Sequence, residues 1–200
     1  MNILITGFEP FGRETVNPSY QAVKCLPDQI GEARLFKAEI PVTFADSGPT
    51  LEKAIARCQP DWVICVGQAG GNAGIALERV AINVQDCSAP DNSGAHPEDH
   101  PIASDGPAAY FSTLPIKQIV KALRSEGIPA VVSNSAGTYV CNHLMYFLLH
   151  HIHQKNPAIR GGFIHVPFSR EQAACKTPPP PSMELEQIVH ALEVSIQSLL

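Results

Sequence analysis

Six cysteines occur in the chain, and one of them stands where a thiol can become a nucleophile. Cys141 follows Ser133-Asn134-Ser135-Ala136-Gly137-Thr138, a run of small and polar residues that leads from an apolar segment into a helical one. The sulfur then falls in the first turn of a helix, where unpaired backbone N–H groups favour a thiolate. The same position also suits a small buried side chain, which is the common role of a free cysteine. Cys25, Cys58 and Cys65 lie on apolar faces and read as core residues, whereas Cys87 and Cys175 fall in loops with no partner that the sequence identifies.

A thiol nucleophile needs a base. His165 sits at the apolar end of the last strand-like run, at the same sheet edge as Cys141 if the sheet is parallel. His143 is two residues beyond Cys141 and points elsewhere, while His150, His151, His153 and His190 come late on helices. His96 and His100 lie in a proline-rich loop without the Cys or carboxylate spacing of a zinc site, so no metal is expected. Glu78 is the acid placed to orient an imidazole and balance its charge; the alternative for it is a surface ion pair with Arg79. The glycines from Gly67 to Gly74 match neither GxGxxG nor GxxxxGK[ST]. They suit a close approach of backbone N–H groups and the Gln68 amide to a substrate carbonyl.

The elements that must carry these residues alternate between strand and helix. Asn2–Thr6, Phe36–Val42, Trp62–Val66, Val80–Val84, Ala130–Asn134 and Gly162–Pro167 read as strands. Leu77–Ala81 taken alone also suits a helix, so Glu78 sits near a boundary. Helices are predicted after Asn17-Pro18-Ser19, on the Leu51, Ala54, Ile55 and Cys58 face, over Ile116–Arg124, from Thr138 as cap to about Gln154, and from Ser182 as cap through Leu199. Asp86–Pro107 is a polar loop too long to be an idle connection. The alternation predicts an α/β fold, a single domain over 1–200 with a twisted, mostly parallel sheet sandwiched between helices, and ligands beyond the strand ends.

Composition narrows the partners. The chain has 200 residues, 44% of them hydrophobic and 16% charged, with a net charge of −5 and no stripe of Lys and Arg. Such a chain can build one core without staples, and nucleic acid is not an expected partner. No apolar run approaches the roughly 20 residues of a membrane span, and no secretory leader is read at the start. Six scattered cysteines without CxxC spacing read as reduced thiols, hence a cytoplasmic protein.

Three long segments then coincide with a known family. Gly7-Phe8-Glu9-Pro10-Phe11-Gly12, Gly67-Gln68-Ala69-Gly70-Gly71 followed by Glu78-Arg79-Val80-Ala81-Ile82-Asn83, and Ser133 through Asn142 resemble pyroglutamyl peptidase I, or pyrrolidone-carboxylate peptidase. Pro90-Asp91-Asn92 and Asp105-Gly106-Pro107-Ala108-Ala109-Tyr110 extend the likeness over the whole chain. The resemblance implies a thiol peptidase that releases pyroglutamate from the N-terminus of peptides without metal or cofactor, on a single α/β domain often assembled as a homotetramer. It assigns Cys141 as nucleophile, His165 as base and acid, and Glu78 as the residue orienting the imidazole. Gln68 is implied as an oxyanion donor, and Phe8, Phe11, Thr43, Tyr139 and Val140 as pocket residues.

One segment departs from the family. Where it reads Asp-Ala-Arg-Ile-Pro-Asp-Asn, this chain has Asp86-Cys87-Ser88-Ala89-Pro90-Asp91-Asn92, so an active-site arginine is Ser88 and a pocket isoleucine is Ala89. The expectation is a working enzyme, slower than relatives that keep the arginine. Two other functions fit the same residues: a catalytically weakened module that binds lactams, and another cysteine amidohydrolase on a similar sheet.

Overall fold

The protein is described over residues 1–200 by a computed structural model. The apolar run after Met1 folds as β1 (Asn2–Phe8), buried from Ile3 to Phe8, and lies inside the central sheet. Strands β3 (Ala33–Ile40) and β4 (Trp62–Gln68) flank it in parallel, and β9 (Arg160–Val166) runs parallel to β4. The short β2 (Gln29–Ile30) caps one edge antiparallel to β3. Beyond β9 come β5 (Ile75–Glu78), antiparallel to it, and β8 (Ala130–Ser133), parallel to β5. The order is β2-β3-β1-β4-β9-β5-β8, and the sheet is mixed but mostly parallel.

Successive strand residues point to opposite faces, so each strand supplies two cores. Ile3, Ile5, Ile64, Val66 and Ile164 meet α1 (Pro18–Cys25), α3 (Ile116–Ser125) and α6 (Leu185–Gln197). Leu4, Val63, Cys65 and Phe163 meet α2 (Phe44–Cys58) and α4 (Val140–Lys155). The predicted α/β sandwich is therefore present. Two small ribbons stand outside the sheet: β6 (Val80–Ile82) with β7 (Ala109–Phe111), and β10 (Phe168–Ser169) with β11 (Ser182–Met183), the latter two joined through the short α5 (Arg170–Ala174).

Several predicted boundaries move. The sheet strand of the central segment is Ile75–Glu78, not Val80–Val84, because Ile75, Ala76 and Leu77 are covered on both faces whereas Val80–Ile82 alternates between buried and exposed in the outer ribbon. Thr138 and Ser182 are not caps. Tyr139 and Glu184 precede α4 and α6 without side-chain caps, and Ser182 is in β11. Cys25 is exposed at the end of α1 instead of lying in the core. Since β8 runs opposite to β9, a parallel sheet edge is not what joins Cys141 to His165. The chain turns back through 134–139, with Gly137 at φ +77°, and α4 crosses the sheet with its start near Gly67 and its later turns, Leu148 and Ile152, over Gly161.

Buried and part-buried polar side chains clamp the loops that converge at this end. Glu9 accepts from the Val42 N–H at 2.9 Å and the Asn92 amide at 2.8 Å, tying three loops together. Asp91 accepts from the N–H groups of Phe44, Ser93 and Ala95. Asn83 both donates to Ala103 O and accepts from Ile102 and Ala103 N–H, so the long polar loop is pinned in place. The fully buried Asn142 accepts from Ile82 N–H at 3.0 Å and donates to Ile82 O and Val84 O at 2.9 Å each, fixing the start of α4 against β6.

Asn142→Ala strands these three backbone groups. The expected cost is about 2–3 kcal/mol, a fall in Tm of roughly 4–12 °C for a chain of this length. Calorimetry with an unchanged Tm would show that the clamp carries no stability.

Candidate active site

His165 is the second-last residue of β9 and faces the α4 side, its ring against Phe163 at 4.8 Å between centroids. Glu78 ends β5 diagonally across the pair from it, since Ala76 is opposite His165 and Leu77 opposite Ile164. A period of two puts both side chains on one face, and Glu78 Oε1 lies 2.7 Å from His165 Nδ1. Glu78 is 1% and His165 6% exposed. The other carboxylate oxygen, Oε2, has no partner within the protein. Arg79 turns away and donates from Nε to Asn134 Oδ1 at 2.8 Å, so no surface ion pair with Glu78 forms.

Burial by itself would drive the His165 ring toward neutrality. The negative charge and hydrogen bond of Cys141, then the hydrogen bond and charge of Glu78, outweigh it and raise the ring to about 9. With Nδ1 committed to Glu78, Nε2 is the nitrogen left for the sulfur.

Cys141 is the second residue of α4, whose first turn has no side-chain cap to occupy its N–H groups. Its sulfur lies directly over Gly67 of β4. A Cβ added at Gly67 would stand 3.0 Å from Cys141 Sγ and 2.7 Å from the Phe163 ring, so only glycine leaves the thiol this place. Cys65, one pleat deeper on the same strand, is buried, and desolvation pushes its thiol up to about 12. One thiol is thus exposed to chemistry, and its neighbour is held neutral.

Beside Cys141 opens a small pocket. Phe8, Phe11, Val42, Tyr139 and Val140 supply its apolar wall, and Gln68 and Asn17 its polar groups. Phe8 serves two purposes, because it also packs on Phe163 within the core. Thr43 lies next to Val42 but not in the cavity wall, and its hydroxyl caps α2 by accepting from Asp46 N–H. Val42 and Asn17 were not singled out in the sequence. Asn17 was legible only as a helix cap, a role it does fill by accepting from Ser19 N–H at 3.1 Å.

A wider, more open cleft of about 480 Å³ adjoins this pocket and shares Phe11 and Tyr139 with it. Ser88 and Ala89 line the outer cleft, together with Asp86, Cys87 and Pro90. Both departures from the family segment therefore face the open side and not the inner cavity. His143 is buried against Phe44, bonds Gln85 and is lowered to about 4 by burial, so it is no second base. His96 and His100 are exposed, and no cluster of metal ligands exists.

A cysteine at a helix start, set beside a buried imidazole–carboxylate pair at strand ends, is the arrangement of residues found in α/β thiol hydrolases. The profile of the family described as pyroglutamyl peptidase matches residues 1–200. The chain belongs to that family. It is 56% identical over 200 residues to the pyrrolidone-carboxylate peptidase of Thermococcus onnurineus, covering 100% of this chain and 99% of that one. To that of Bacillus licheniformis it is 57% identical over 194 residues, covering 96% and 89%. The crystal structure of Bacillus amyloliquefaciens pyroglutamyl peptidase I superposes with a TM-score of 0.94 at 48% identity, covering 97% of this chain and 94% of that one.

The raised pKa of His165 has a consequence for stability. A ring at about 9 when folded, against 6.5 when unfolded, contributes stability that is complete below pH 6.5 and is lost as pH rises through about 9. Thermal melts should show Tm declining over that window. Glu78→Gln keeps the shape and an acceptor but removes the charge, and should make the decline shallower while leaving the part due to Cys141; a variant with the wild-type slope would show that the Glu78 charge does not hold the proton.

Proposed function

We propose that the chain is a cysteine peptidase that hydrolyses the amide after an N-terminal pyroglutamyl residue, using Cys141, His165 and Glu78. The observation that carries this reading is the position of Cys141 at the mouth of a small, mostly apolar cavity, with the buried His165–Glu78 pair behind it. A pyroglutamyl ring is flat, compact and uncharged. It needs apolar walls and a few hydrogen bonds, which Phe8, Phe11, Val42, Tyr139, Asn17 and Gln68 provide.

Cys141 Sγ attacks the pyroglutamyl carbonyl carbon, and the carbonyl oxygen becomes an oxyanion. Gln68 Nε2 and the uncapped N–H groups at the start of α4 donate to it. The proton that left the thiol is on His165, which hands it to the departing amine as the C–N bond breaks. Water, deprotonated by His165, then cleaves the thioester and frees pyroglutamate and the thiol. Glu78 balances the imidazolium and keeps Nε2 toward the reacting atoms. The remainder of the peptide lies in the outer cleft, where Ser88 offers a neutral hydroxyl and Asp86 the charge.

We also propose a homotetramer in the cytoplasm. Phe111 is 69% and Val131 51% exposed, apolar groups that a subunit contact would cover, and all six cysteines are free thiols. No helix is long and apolar enough to cross a membrane.

Release assays on pyroglutamyl, prolyl and glutaminyl anilides test the activity. Only the first should be turned over. Cys141→Ser should lower kcat by more than about 10³-fold, while Cys25→Ser leaves it unchanged and a chelator has no effect. Turnover of all three anilides alike, or a fully active Cys141→Ser protein, would overturn the assignment.

A further inference from the structure

We infer that Gln172 is a positioning residue: it fixes which end of the Gln68 amide faces the nucleophile. The inference rests on the proposed role of Gln68 as an oxyanion donor. Amide oxygen and nitrogen are interchangeable in shape, so a lone Gln68 could present either one to the cavity, and only the N–H end stabilises an oxyanion. Neighbouring hydrogen bonds decide the matter.

Gln172 lies in α5, 104 residues from Gln68, and is 5% exposed against 8% for Gln68. Its own orientation is set locally. Ser169 and Gln172 form a capping box in which Ser169 N–H donates to Gln172 Oε1 at 3.2 Å and Ser169 Oγ accepts from Gln172 N–H at 3.2 Å. With Oε1 bound to a backbone donor, Nε2 must be the end that points away from the helix start. Its two hydrogens face three acceptors, Val16 O at 3.1 Å, Glu14 Oε2 at 3.2 Å and Gln68 Oε1 at 3.1 Å, so one hydrogen is shared between two of them. Val16 O and the Glu14 carboxylate can only accept, and together with the Ser169 N–H they exclude the flipped Gln172 amide; a flipped Gln68 would then set its NH₂ against the Gln172 NH₂, donor against donor.

Because Gln68 must offer its oxygen to Gln172, its NH₂ group is turned the other way, toward the cavity that it lines with Cys141. The chain of constraint runs from a backbone N–H of Ser169 through two amides to the reacting carbonyl. Every link in it is buried, where a wrongly oriented polar group is costly.

The test is a double-mutant cycle on one pyroglutamyl anilide. Gln172→Glu keeps the acceptor that Ser169 needs but presents a second acceptor to Gln68, so the Gln68 amide turns its NH₂ toward residue 172 and its oxygen toward the oxyanion. Near neutral pH kcat should fall by about 10²-fold, the loss of one oxyanion donor, with KM little changed. In a Gln68→Ala background, itself slowed by a similar factor, Gln172→Glu should cause no further loss. Gln172→Met, which removes the donor without adding charge beside Glu14, should give a smaller fall with the same non-additivity and serves if the glutamate variant does not fold. Additive losses, a rise in KM at constant kcat, or wild-type kcat in both Gln172 variants would overturn the inference. Wild-type kcat in Gln68→Ala would instead overturn the oxyanion role of Gln68, and the positioning role with it.

Discussion

The hydrogen bond between Glu78 and His165, 2.7 Å long and almost wholly out of water, is the constraint around which the rest is arranged. Burial alone would leave the His165 ring neutral, and the Cys141 sulfur and the Glu78 carboxylate make its charge tolerable. With the second Glu78 oxygen unpartnered in the protein, the imidazole is the carboxylate's one charge partner. The ring is thereby held in one orientation, one nitrogen bound and the other free for Cys141. Two antiparallel strands supply this geometry, because a diagonal pair on one face is what their register provides.

Much of the substrate side is carried by loops and element ends, and loops need their own fastening. Glu9, Asp91 and Asn92 bind three of them to one another, Asn142 seats the helix that carries Cys141, and Gln172 holds Gln68. Each fastener is a polar side chain that satisfies backbone groups which would otherwise be stranded. Such sites keep rigidity without a large core beneath them, and the cavity can remain small and apolar while its rim stays polar.

The sequence made the types of the key residues legible but not their meeting. Cys141 was readable from the small-residue run before a helix, and Glu78 and His165 from their places beside apolar segments. Their union rested on resemblance, since a parallel sheet edge was the wrong reason. β5 was hidden because Ile75-Ala76-Leu77 is short and follows a glycine loop, while Val80–Ile82 has the more obvious strand composition. Pro49 inside α2 concealed the first turns of that helix, which Thr43 starts. The Ser169-Gln172 spacing was open to a local reading as a capping box; its link to Gln68 was not, because nothing local encodes a contact across 104 residues. Val42 and Asn17 escaped for the same reason.

The central claim is that a buried imidazolium, held between Glu78 and Cys141, exists in the resting protein. Nuclear magnetic resonance of the protein with ¹⁵N- and ¹³C-labelled histidine reads it directly. His165 should carry protons on both ring nitrogens at pH 7 and lose one only near pH 9. A neutral His165 ring at pH 7, titrating at or below the ordinary 6.5 as burial alone would dictate, would contradict the account.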